Sequence, residues 1–264
     1  TEETLKETER WLKETETGYG QVKPILTPRY TPTCTDACME GLQVLSEKYQ
    51  VPVQSHLSEG LDEIEWVKQL KPGLSCYGEA YDMYDLLGSR QPAVMAHVVH
   101  PNEAEYELIK HRNVLVAHCP QSNTNAANGV APILQMVHDG IRVGLGTDMA
   151  GGYNLNLLRT MTDAIQSSKL RWCFTERNGD PFAKKNFLTV ANAFYLATKG
   201  GGSFFGKVGS FEPDYEFDAV VLDDAALADF VERPVQDRFQ RILWLYTADT
   251  VTAKFIQGTC VYQA

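Results

Sequence analysis

The sequence predicts an α/β protein built on a parallel sheet: a (β/α)8 barrel of the TIM type, incomplete with about five βα units, joined to part of a small β-sandwich. Three observations carry this. Apolar runs of strand length alternate with stretches of helical periodicity along most of the 264 residues. Three of the runs end on a histidine, at His56, His97 and His118, and a fourth leads into Gly144-Leu145-Gly146-Thr147-Asp148. Beyond Gly206 the texture changes to short β-like pieces among acidic and turn-forming residues.

A helix opens the chain, with Leu5, Trp11 and Leu12 on its apolar face, and residues 22–27 read as a strand whose Pro24 suits a sheet edge. The periodicity predicts a helix over 35–49, with Met39, Leu42, Leu45 and Tyr49 on one face. Strands at 51–56, 93–97, 114–118 and 141–147 then alternate with helices at 59–70, 80–87, 102–111, 130–139 and 154–168. A further helix over 184–198 is expected to stop at Gly200-Gly201-Gly202, after a polar loop at 175–185 that could border a site. Strands are expected at 217–222, 242–246 and 254–262. This places a partial catalytic barrel at 1–203 and the C-terminal part of a small composite β domain at 204–264. A closed barrel requires eight strands, and Thr1 is not an initiator methionine, so the expectation is a chain cut from something longer.

A net charge of −10 argues against a nucleic-acid partner, because no cluster of Lys and Arg forms a basic track. Six cysteines scattered over a long chain do not form a disulfide framework and point to reduced thiols in the cytoplasm. Cys34-x-x-x-Cys38 lacks the second pair that a zinc finger needs. No apolar run approaches the ~18 residues of a membrane span, and no signal peptide opens the chain.

A barrel displays at one rim whatever stands at the C-terminal ends of its strands, so histidines and an aspartate there point to a metal-dependent active site. His56 has Glu59 three residues on, an imidazole and a carboxylate able to divide ion binding from proton movement; Glu59 equally suits a helix N-terminus. His97 ends its strand, and His100 reads as a solvated bystander. His118 begins a polar turn, His118-Cys119-Pro120-Gln121-Ser122-Asn123, that could line a pocket or merely order its loop, while His111 and His138 read as surface residues at helix C-termini. Asp148 is the strongest candidate, since its helix begins several residues later, too far on for an N-cap role. On the substrate side, Arg29 can bond a carbonyl or a carboxylate while Tyr30 stacks on a flat ring.

These segments resemble the amidohydrolase superfamily and, within it, the guanine deaminases. The likeness is carried by Lys23-Pro24-Ile25-Leu26-Thr27-Pro28-Arg29-Tyr30, Gln54-Ser55-His56-Leu57-Ser58-Glu59, Val94-Met95-Ala96-His97, the 117–123 segment and Gly144 to Gly152, in that order. The resemblance implies one zinc and hydrolysis of the C2 amino group of guanine to xanthine and ammonia. It makes His56 and Asp148 zinc ligands, Glu59, His97 and Asp148 catalytic, and Arg29 and Tyr30 purine-binding together with His56, Glu59 and Asp148. It also implies a homodimer.

The family's site includes a His-x-His pair that these residues lack. The expectation is therefore a guanine deaminase as the parent, with this stretch alone inactive. The alternatives are a deaminase or chlorohydrolase of another heterocycle (triazine, cytosine or adenosine type) and a non-catalytic, degenerate barrel. The His-x-Glu and Pro-Cys-x-x-Cys signature of base-flipping zinc deaminases does not occur.

Overall fold

The structure, a computed structural model, describes residues 1–16, 22–228 and 230–264. In chain order the elements are α1 (Glu2–Thr15), α2 (Asp36–Tyr49), β1 (Val53–Leu57), α3 (Leu61–Leu70), α4 (Glu79–Asp82), β2 (Ala93–His97), α5 (Glu103–His111), β3 (Leu115–His118), α6 (Pro120–Asn125), α7 (Ile133–His138), β4 (Arg142–Leu145), α8 (Leu157–Arg171), α9 (Val190–Tyr195), β5 (Ala219–Leu222), α10 (Val235–Leu245), β6 (Val251–Ile256) and β7 (Thr259–Gln263). The fold is mixed α/β, and the chain divides into two compact units, 1–118 with 126–142, and 119–125 with 143–264.

In the first unit β1, β2 and β3 pair in parallel, with Val53 beside Ala93, Leu57 beside His97 and Ala96 beside Ala117. The sheet order is β1-β2-β3-β4, the fourth strand entering at Arg142, where this unit ends. Alternate residues of β1 and β2 are fully buried and the rest half-buried, as expected of a parallel sheet covered on both faces. Leu57 and Met95 are wholly inaccessible. Helices start where side chains satisfy free N–H groups: the Thr35 side chain accepts from Cys38 N, and Asn102 from Glu105 N.

The strand expected at 22–27 is reduced to one parallel bridge, Leu26 to Val53. Leu26 N donates to Pro52 O at 3.0 Å, and Gln54 N to Leu26 O at 2.8 Å. Pro24 and Pro28 on either side have no N–H to give, so the ladder cannot lengthen.

In the second unit α8 is capped by the Asn156 side chain, which accepts from Leu158 N, and it buries Met161, Ala164 and Ile165. Gly200–Gly202 does not end the preceding helix. Instead α9 continues through a π turn, Leu196–Gly200, and the glycines allow close approach: a Cβ on Gly200 would stand 2.7 Å from Val143 O, and one on Gly202 would collide with Val208 O. The strand expected at 242–246 lies inside α10, where Ile242 and Leu243 are buried and Phe239 meets Phe194 edge-on at 5.1 Å. The run at 254–262 is two antiparallel strands, turned at Gln257-Gly258 with φ of 47° and 78°. The antiparallel sheet has the order β5-β6-β7.

Candidate active site

The pairing of Leu57 with His97 brings the ends of β1 and β2 level, and both strands then break sharply. Ser58, His97 and Val98 have φ of 47°, 76° and 45°, a left-handed conformation that a β-branched valine adopts only when its surroundings force it. The bends are held by the neighbouring strand end: Val98 N donates to Leu57 O at 2.9 Å and His100 N to Ser58 O at 3.1 Å. As a result the rings of His56 and His97 stack at 5.2 Å, 19° from parallel. Glu59 extends one carboxylate oxygen to 3.5 Å from His97 Nε2 and accepts from Asn128 Nδ2 at 2.9 Å with the other. His100 is not a solvated bystander: it is half-buried, and its Nε2 lies 2.6 Å from the Asn128 carbonyl, which ties down the residue that holds Glu59. His111 and His138 are exposed at their helix C-termini, as the sequence predicts.

The Arg29 carbonyl lies 2.6 Å from His56 Nδ1. A carbonyl can only accept, so Nδ1 carries a proton, and in the neutral ring Nε2 is the nitrogen with the free lone pair. Tyr30 stands edge-on to His56 at 6.5 Å and to Trp66 of α3 at 6.3 Å, with the exposed Arg29 guanidinium 5.4 Å from its ring centre. A cavity of about 660 Å³ opens beside this segment, with Arg29 in its lining together with Trp11, Cys34 and Cys38. It does not reach His56, Glu59 or His97.

Beneath these residues lies polar packing that sequence patterns do not reveal. The fully buried Tyr81 hydroxyl donates to the His56 carbonyl at 2.8 Å and accepts from Thr31 N at 3.2 Å. Tyr77 stacks on Tyr81 at 5.6 Å and donates to Glu63 at 2.7 Å. Burial pushes the Tyr81 hydroxyl up to about 12 and raises the Glu63 carboxyl. Glu105, 1% exposed, accepts from Gly78 N at 2.9 Å; burial carries its carboxyl up to about 7 against the downward pull of bonds from Ser58 and Gly78. His118 is drawn down to about 3, first by burial and then by His97, so it stays neutral. Besides His118, which the sequence marks as a strand end, the one sequence signal here is Glu63, three residues after Gly60 in the first turn of a helix, where a carboxylate reaches back to free N–H groups.

In the second unit Asp148 has φ 45° and Ala150 φ 93°. Asp148 does not cap α8; Asn156 does. A Cβ on Gly151 would stand 2.8 Å from Asp148 Oδ2, and one on Gly152 would collide with Thr147 O. Gln121 braces this loop, donating to Asp163 at 2.9 Å while its oxygen accepts from Asn154 N at 3.2 Å. Asn125 Nδ2 donates to Gly151 O at 2.9 Å.

The His56 geometry suits a divalent metal, since a ligating imidazole commonly donates its other N–H to a carbonyl. An imidazole and a carboxylate are also zinc-type donors. Among the described residues, however, no group of three or more His, Cys, Asp or Glu side chains could hold an ion. This stretch thus offers suitable donors in too small a number.

With this site in place, the class is clear: the chain belongs to the amidohydrolase family, whose model matches residues 1–243. Its nearer relatives include the guanine deaminase of Dictyostelium discoideum, 36% identical over 91% of this chain and 53% of the relative. Among solved structures it is similar to guanine deaminase from C. acetobutylicum with bound guanine in the active site, with TM-score 0.90, 41% identity, and coverage of 98% of this chain and 60% of that one. An adenosine deaminase from Xanthomonas campestris with bound zinc shares the fold, with TM-score 0.78 at 23% identity and coverage of 97% and 56%. The chain spans about half the length of the curated relatives it matches.

Proposed function

We propose that the protein carrying this sequence hydrolyses guanine to xanthine and ammonia. The observation that carries the reading is the meeting of His56, Glu59 and His97 at two adjacent strand ends, in a chain 41% identical to a guanine deaminase seen with guanine bound. In this reading residues 1–203 belong to a (β/α)8 barrel and 204–264 to a small β-sandwich. The protein works in the cytoplasm and forms a homodimer, the commonest assembly among soluble proteins. The described cysteines are all free, and no described helix is long and apolar enough to cross a membrane.

The reaction forms a C2–O bond and breaks the bond from C2 to the amino nitrogen. One water proton must reach the ring as oxygen attacks, and one must leave with ammonia. Glu59 carries the ring proton; in support, Asn128 fixes one of its oxygens and the other faces His97. His97, fully buried and stacked on His56, stabilises charge developing on the attacking oxygen. Arg29 bonds the purine carbonyl, Tyr30 packs on the ring, and Asp148 accepts a proton from the water. One zinc, with His56 and Asp148 among its ligands, would supply an acidified water at neutral pH. With only these two donors, the 264 residues by themselves bind zinc weakly and do not turn over.

The test is to assay the full-length protein against purines, pyrimidines and triazines. Xanthine from guanine is the expected result, and its absence would overturn the reading. Arg29→Ala should raise the KM for guanine about 10-fold or more while leaving zinc content unchanged, as a lost charged hydrogen bond predicts.

A further inference from the structure

Glu63, Tyr77 and Tyr81 have no part in the chemistry above, yet Tyr81 reaches both the His56 carbonyl and Thr31, the residue that follows Tyr30. Tyr81 lies on α4 and is fully buried. Its hydroxyl donates to the His56 carbonyl and accepts from Thr31 N, next to Tyr30, so it joins the end of β1 to the Arg29–Tyr30 segment. Ser55 Oγ, 2.8 Å from the same hydroxyl, lies 2.7 Å from Pro28 O and 3.0 Å from Arg29 O, and reinforces the junction. On the other side, Tyr77 lies 3.3 Å from Tyr81 and donates to Glu63. The backbone N–H groups of Glu59 and Gly60 pull the Glu63 carboxyl down against the larger upward push of burial.

We infer that Glu63, Tyr77 and Tyr81 form a positioning chain that sets the substrate-binding segment Arg29–Tyr30, the His56 carbonyl and the Glu59 backbone in one fixed register. Burying two phenols and a carboxylate is unfavourable unless each is bonded; here Tyr81 ends on the His56 carbonyl and Thr31 N, and Tyr77 on Glu63. The two ends should separate in kinetics. Loss of the Tyr81 hydroxyl loosens the Arg29–Tyr30 segment and so acts on guanine binding, whereas neutralising Glu63 loosens Glu59 and so acts on proton transfer. The kinetic part of this inference rests on the guanine reading; the structural part does not.

The experiment uses the full-length protein with Tyr81→Phe and Glu63→Gln, both of which preserve side-chain volume. Tyr81→Phe is expected to lower kcat/KM for guanine about 10- to 100-fold, mainly through KM, and Glu63→Gln to lower kcat about 10-fold with KM within about twofold. Melting temperatures should fall by no more than about 4 °C. Histidine-selective nitrogen-15 spectra provide an independent readout, since Tyr81→Phe should move the His56 ring resonances and leave those of the exposed His111 and His138 unchanged. Equal losses in kcat and KM for both variants, or an unmoved His56 resonance, would overturn the inference. If the unaltered protein makes no xanthine, the guanine reading falls and the His56 resonance alone decides: a shift supports the chain, and no shift overturns it.

Discussion

Strands β2 and β7 are both five residues long, and they are built in opposite ways. β2 alternates buried with half-buried residues and ends on a wholly inaccessible His97, while β7 is exposed at every position. Where both faces of a strand are covered, packing leaves little room for polar side chains until the backbone leaves the sheet. A histidine at that point is therefore conspicuous, and here it is accompanied by left-handed backbone at His97 and Val98. The outer hairpin has no such filter, and its Thr259, Cys260 and Tyr262 carry no comparable signal.

The contrast can be tested from its strongest consequence downward. Glu59→Gln in the full-length protein should lower kcat by about 10²- to 10⁴-fold, the range for a lost acid–base group, with KM little changed. A loss of less than about tenfold would detach the strand ends from the chemistry. Next, Leu57→Ala should destabilise the protein by about 2–5 kcal/mol, whereas Val261→Ala in β7 should stay within ~0.5 kcal/mol, both read from denaturant midpoints. Equal costs would erase the difference between the sheets.

The third test is pH. Burial holds the Glu105 carboxyl near 7 in the folded protein against 4.5 unfolded, so between those values the folded state binds more protons than the unfolded state. Stability attributable to this group is fully present below pH 4.5 and is lost as pH rises through about 7; the difference corresponds to ~3 kcal/mol. Glu105→Gln should flatten that limb of the stability profile, and a mutant with the same slope would refute the assignment. His118, drawn down by burial, acts with the opposite sign, losing stability as pH falls below its unfolded value of 6.5 toward about 3. The smallest effect is chemical: Cys173 and Cys260 are exposed and should react with a maleimide promptly, while buried Cys38, Cys76 and Cys119 should wait for unfolding.

The same contrast explains what the sequence made legible. The strand at 93–97 is read to the residue, because an apolar run of strand length bounded by Pro92 and a histidine fits few other structures. Residues 242–246 form an equally apolar run and were expected as a strand, but only Ile242 and Leu243 are buried, and they belong to a helical stripe with Phe239. Short apolar runs cannot separate the two periods; only the packing does. The site divides likewise. His56, Glu59, His97, Arg29 and Tyr30 stand near strand ends and could be found from spacing, and the structure brings them together in the first unit. Tyr77, Tyr81, Glu105 and Asn128 come from two helices, a turn and a loop farther along the chain, and no spacing links them to His56 or Glu59 before the sheet forms.

Gly152 leaves no space for even one methyl group before its neighbour's carbonyl oxygen. Every missense change in a glycine codon adds at least that methyl, so no conservative option exists at this position. A saturation library scored for retained activity should show an empty column at Gly152, and a filled one at Gly73, where nothing stands within 4 Å, for any residue that tolerates its positive φ. Between those two codons lies a measure, read from genetics alone, of how tightly the loop that carries Asp148 is drawn.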